Sequence, residues 1–285
     1  MQRIIFTNAR GQSVELKSSA PFLLESIDGL GDVDADIQTQ KAPFQDGSTY
    51  IDSVLQERAI SLEVVILASD KPTLLQQRQY LASVFNPKLR QGILRYENGE
   101  VVREIEAVPD GVPVFPSGKD NRGPTFQKAI VNLLCPNPFW KSTEIKEEPT
   151  FEPLFQFPFE GVFEIGVQRD LRIIMNDGDA PTPVFIEFHG PAVNPMIVNR
   201  TTGEFIKVNQ TLGENEIMEI DTTPGKKSVY FVQPDGTKRN VFNWIDLEST
   251  FFQLVVGENE IEYSADSDIQ GAIVNIRYNK LYNAV

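Results

Sequence analysis

"GILRYENGEVVREIEAV" (residues 92–108) decides the fold class. Apolar residues alternate on either side of Asn98-Gly99, and that dipeptide accepts positive φ at both central positions, a tight-hairpin signal. Upstream, "ISLEVVIL" (60–67) puts Ile60, Leu62, Val64 and Ile66 on one face and Ser61 and Glu63 on the other. This is the alternation of a strand half covered by a core. Most of the chain repeats that period between turn residues, so the fold reads as mainly β. One segment departs from it. In "SDKPTLLQQRQYLASVFNPK", Asp70 caps a helix, Pro72 fits its first turn, and Leu74, Leu81, Val84 and Phe85 share one face. The spacing predicts a single helix over 71–85, lying against the first sheet.

The 285 residues are 41% hydrophobic and 10% aromatic, too apolar for a disordered chain and enough for two cores. Composition shifts after "TFQKAIVNLLCPNPFW" (125–140), where charges and prolines enter while Phe151, Phe155, Phe157 and Phe159 still call for burial. The expected organisation is a first domain over 1–145, a packed linker over 146–160 and a second domain over 161–285 that folds alone. That second domain reads as an all-β sandwich of short strands. Its turns carry Thr202-Gly203, Pro224-Gly225 and Pro234-Asp235-Gly236. The pentapeptide "GENEI" occurs at 213–217 and again at 257–261. Two copies do not make a solenoid. They are expected at equivalent corners of the sandwich, one per sheet.

Several function classes lose support from composition. The formal net charge is −14, from 26 Lys and Arg against 40 Asp and Glu, which opposes a nonspecific grip on phosphate backbones. No stretch reaches the roughly 20 apolar residues of a membrane span. The opening "MQRIIFTNARGQ" turns polar before a signal-peptide apolar region forms. A soluble chain made in the cytoplasm is expected, with no cofactor and no metal. Cys135, the single cysteine, sits in the apolar run "IVNLLC" and reads as a small buried hydrophobe. His189, the single histidine, ends a strand pattern and reads as structural, with no G-x-S-x-G in the chain. Asp32, Asp34 and Asp36 are spaced like the start of a calcium loop, but Ile37 and Pro43 stand where such a loop needs glycine and a bidentate glutamate. They read as the polar face of a strand. Neither a G-x-x-x-x-G-K-[ST] nor a strand-linked G-x-G-x-x-G phosphate loop is present.

"PDGVPVFPSGKDNRGP" (109–124) is far longer than a usual hairpin loop. Its glycines suggest mobility and its prolines keep it from extending the sheet, while Phe115, Lys119 and Arg122 offer one apolar and two cationic contacts. One reading is a solvated tip. The other is a contact with an adjacent subunit or a partner protein that buries Phe115 and sets both cations against acidic surface. On either reading, replacing 111–122 with Gly-Asn-Gly is expected to leave the fold intact.

The order of segments resembles a known family. "FLLESIDGLGDVDADIQTQKAPFQDGSTYIDSVLQERAISLEVVI", a lone helix ended by "NPK", and "CPNPFW" resemble the N-terminal half of the distal tail proteins of siphophages. "NDGDAPTPVFIEFHGPAVNPMIVNRTTGEFIKVN" and "FFQLVVGENEIEYSAD" through the final "NIRYNKLYNAV" are similar to the same family's C-terminal sandwich. The resemblance implies an N-terminal β-sandwich or split barrel with one helix and a C-terminal galectin-like or carbohydrate-module-like sandwich. It implies a homo-hexameric ring at the virion tail tip, made in the host bacterial cytoplasm. The ring would join the tail tube protein to tail-associated and baseplate proteins and, in many phages, to receptor-binding parts. It requires no catalysis, and an acidic chain suits a DNA conduit. Two other readings stay open. A carbohydrate-binding module would stack Trp244 or Tyr230 on sugar rings, and a polymer hydrolase would need paired carboxylates in a cleft.

Overall fold

The computed structural model describes residues 2–147, 170–266 and 273–285. The chain divides into two units, Met1–Thr143 with Tyr282–Val285, and Glu144–Leu281.

Unit 1 contains β1 (Arg3–Thr7), β2 (Ser13–Leu16), β3 (Phe22–Asp28), β4 (Ala35–Gln40), β5 (Thr49–Leu55), β6 (Arg58–Leu67), α1 (Lys71–Val84), β7 (Gly92–Asn98), β8 (Val101–Pro109), β9 (Phe126–Cys135) and β10 (Trp140–Lys141). Its main sheet runs β2-β1-β7-β8-β9-β6-β3, with β10 also beside β8, while β4 and β5 pair only with each other. The two ends of the main path meet. Lys17 N donates to Phe22 O at 3.2 Å and Leu24 N donates to Lys17 O at 2.9 Å, closing β2 on β3 through a parallel bridge at Leu23. Closure removes the edges that would otherwise recruit another strand.

β7 and β8 form the expected hairpin, with one difference in the turn. Asn98 pairs with Val101 and stays in the strand, and Gly99 alone takes a positive φ, +63°. Glycine thus holds the first central position, where a Cβ would oppose that conformation. The helix begins where the sequence places it, with Asp70 Oδ1 accepting from Thr73 N at 2.9 Å. Leu74, Leu81, Val84 and the following Phe85 are buried. Phe85 stacks on Phe6 of β1 at 4.6 Å between centroids. Ile60, Leu62, Val64 and Ile66 of β6 are buried together in this core, as their alternation predicts.

Unit 2 contains β11 (Ile145–Glu147), β12 (Asp170–Asn176), β13 (Thr182–His189), β14 (Ala192–Val193), β15 (Met196–Asn199), β16 (Glu204–Lys207), β17 (Thr211–Leu212), β18 (Ile217–Asp221), β19 (Ser228–Val232), β20 (Lys238–Asn240), β21 (Gln253–Leu254), β22 (Gly257–Ser264) and β23 (Ile273–Tyr278), and β24 (Leu281–Tyr282) opens in it. One sheet runs β11-β23-β13-β18-β19-β20 and the other β12-β22-β15-β16. Both contribute to one core, in which Phe188 of β13 meets Tyr263 of β22 edge to face at 5.9 Å. Lys146 and Glu147, placed in the linker by sequence, lie in β11. The rest of that linker, with its four phenylalanines, falls outside the described residues.

The two "GENEI" copies lead into different sheets but are not equivalent corners. At 213–216 the first copy turns, with Asn215 at φ +62° and Glu216 Oε2 accepting from Gly213 N at 2.8 Å, and its Ile217 opens β18. At 257–261 all five residues lie in β22. There Asn259 is buried, accepting from Val255 N at 2.9 Å and donating to Val255 O at 2.8 Å. The tertiary surroundings, and not the pentapeptide, select the conformation.

Residues 282–285 return to unit 1 because a buried cation there needs an acceptor. Arg58, at the start of β6, is 1% exposed. Its Nε donates to Pro138 O at 2.8 Å, Nη1 to Gly29 O at 2.8 Å and Nη2 to Asn283 O at 2.5 Å. Burial lowers the guanidinium's pKa, yet three carbonyls from three distant segments keep it solvated inside the protein. Gly29 permits the approach, since a Cβ there would lie 2.1 Å from Ala59 O at a φ of +90°. Beside this clasp Trp140 is buried and donates to Leu30 O at 3.2 Å, and the Arg103 guanidinium sits 3.8 Å from the Tyr282 ring centroid. Arg58→Ala should lower unit 1 stability by on the order of 3–5 kcal/mol in urea unfolding, because it opens a cavity and strands three carbonyls. Arg58→Lys, with a point charge in place of a fork, should recover only part of the loss.

Candidate assembly surface

The residues that sequence singles out for chemistry are dispersed. His189 ends β13 with Nε2 3.4 Å from Asn275 Nδ2 on β23. Cys135 ends β9 fully buried, and burial pushes its thiol up to about 12, so it stays a neutral apolar group. Asp32, Asp34 and Asp36 are exposed, and only Asp36 lies in a strand, β4. Trp244 is 39% exposed in a 3-10 turn with the Arg239 guanidinium 5.5 Å from its ring centroid, and Tyr230 is half-buried in β19. Among the described residues no group of His, Cys, Asp and Glu is arranged to hold a metal ion. No described helix is long and apolar enough to cross a membrane.

The long loop between β8 and β9 is built differently from a hairpin tip. β9 uses one whole edge on β6, but on its other edge β8 pairs only at Val108 and Pro109. The loop covers what remains. Asp110 N donates to Asn132 O at 2.8 Å, Val114 and Ile130 exchange both backbone bonds at 2.9 Å, and Lys128 N donates to Asn121 O at 2.8 Å. Buried Gln127 pins the far side, its Nε2 donating to Pro116 O at 3.0 Å. The prolines do not keep the loop off the sheet, because the bridging residue is Val114 and its N–H is free to donate. Phe115 packs on the unit 1 core with the Arg78 guanidinium of α1 4.4 Å from its ring centroid. Of the three contact candidates, Lys119 and Arg122 face solvent while Phe115 is used within its own unit.

Two further surfaces were not singled out by sequence. Between residues 34 and 56 every position except Gln45 and Leu55 is exposed. Ile37, Phe44, Tyr50, Ile51 and Val54 are each more than half exposed on this arm of β4 and β5. Asp32, Asp34, Asp36, Asp46 and Asp52 accompany them, against Lys41 alone. The second surface has the opposite sign. Residues 71–90 hold Lys71, Arg78, Lys88 and Arg90 and no acid, and Leu75 and Tyr80 lie exposed on α1. The signal for the arm lies in its pattern, since Tyr50, Ile51 and Val54 fit no single strand face.

Two family models match the chain in order: a phage tail protein RIFT-related domain over residues 9–135, and the C-terminal domain of a siphovirus-type tail component over 177–282. No curated protein matches it. Among solved structures, the Dit (gp 19.1) protein of phage SPP1, described as a paradigm of hub adsorption apparatus in phages infecting Gram-positive hosts, matches with a TM-score of 0.67 at 13% identity. The match covers 99% of each chain. A chain of the phage P2 baseplate in its activated conformation with calcium matches with a TM-score of 0.55 at 10% identity, over 97% of this chain and 98% of that one.

The edge-covering role of the loop reverses the expectation for its removal. Replacing 111–122 with Gly-Asn-Gly should cost about 2–3 kcal/mol, since it deletes the Val114–Ile130 pair and bares the edge of β9. An unchanged urea midpoint would identify the loop as a dispensable tip.

Proposed function

The chain belongs to the siphophage distal tail protein family, and from that membership we propose that it forms the ring-shaped hub joining the tail tube to the tail-tip and host-adhesion apparatus. It is a structural component of the virion tail, made in the host bacterial cytoplasm. The observation that carries the reading is the order of the two family matches, one on each unit. Unit 1 closes its own sheet and so leaves association to its remaining surfaces. Six copies are the family's ring, and closed symmetry repeats one pair of surfaces without growing into a fibre. Lys119 and Arg122 stand exposed as contacts for a neighbouring subunit or tail protein, and the acidic balance suits a channel through which DNA passes.

The sugar-binding alternative has weaker support, because Arg239 already stands over the Trp244 ring that would have to stack on a saccharide. Light scattering with negative-stain imaging of the purified protein should give particles of about 192 kDa, six copies of a 32.0 kDa chain, with a central hole. A monomer at every concentration, also in the presence of neighbouring tail proteins, would remove the hub reading.

A further inference from the structure

We infer that the β4–β5 arm of one copy docks on the α1 face of the next copy in the ring. This rests on the ring reading above and adds which two surfaces meet. A two-stranded hairpin in water is marginally stable on its own. This one carries five large apolar side chains more than half exposed within one short segment. Such a concentration marks a surface that another body covers.

Charge selects the partner. The arm and its base, residues 32–56, contain five aspartates and one lysine. The α1 segment, residues 71–90, contains four cations and no acid in a chain whose net charge is −14. Leu75 supplies exposed apolar surface on the side of α1 that carries Lys71 and Arg78, to receive Ile37, Tyr50, Ile51 and Val54, with Lys88 and Arg90 in the turn that follows the helix. Arm and receiving face are different surfaces, so every copy offers one of each. Contacts of that head-to-tail kind close into rings, whereas a self-complementary patch stops at a dimer.

Two charge-reversed proteins test the pairing. The arm variant carries Asp34→Lys, Asp36→Lys and Asp52→Lys, and the face variant carries Lys71→Glu, Lys88→Glu and Arg90→Glu. All six side chains are exposed, so both variants should keep the wild-type near-ultraviolet circular dichroism. If either loses it, Tyr50→Ser with Val54→Ser replaces the reversal and should by itself block assembly. In sedimentation velocity each reversed variant alone should assemble at least tenfold more weakly than wild type. An equimolar mixture should recover rings, because each reversed arm then finds a reversed face and each native arm a native face. Wild-type rings beside a mixture that stays monomeric, or either variant assembling normally alone, would overturn the inference and leave the ring reading standing. Wild type that never assembles would instead take down the ring reading and this inference with it.

Discussion

The Arg58 guanidinium is the interaction on which the rest of unit 1 depends. A cation buried to this extent is tolerated only where the fold surrounds it with acceptors, and here those come from Gly29, Pro138 and Asn283. The three carbonyls lie far apart in sequence. They fix the end of β3, the turn before β10 and residues 282–285 against the start of β6. Unit 1 is therefore completed by residues that follow the whole of unit 2, and a fragment ending at Thr143 lacks one of the three acceptors.

Local structure was the part most legible in the sequence. The alternation of β6, the Asp70 cap and the Asn98-Gly99 hairpin each depend on neighbours within a few residues, and each element stands where the pattern put it. The hairpin's one-residue shift shows the limit of that reading, since both Asn98 and Gly99 tolerate positive φ and cross-strand register chose between them. Features set by long-range partners were illegible. Nothing around residue 114 announces its bridge to Ile130, and nothing in "NKLYNAV" announces an acceptor for Arg58. "GENEI" makes the point within one chain, as a turn whose last residue opens β18 and as strand throughout in β22.

The surface of unit 1 divides the same way. Its sheet closes at Lys17, and the loop over 110–124 covers the free edge of β9, so the strands are protected within the chain. The β4–β5 arm is left uncovered, and its acidic, apolar character matches the cationic segment 71–90, made of α1 and the turn after it. A scaffold with protected edges and one exposed arm associates through the arm without risking sheet-to-sheet aggregation.

Hydrogen–deuterium exchange compared between dissociated and assembled protein tests this account most directly. Amides of residues 35–55 should exchange within seconds in the monomer and become strongly protected in the ring, with those of α1 slowed alongside them, while those of β6 and β9 stay protected in both. Equal exchange of the arm in the two states would contradict the claim that another copy covers it.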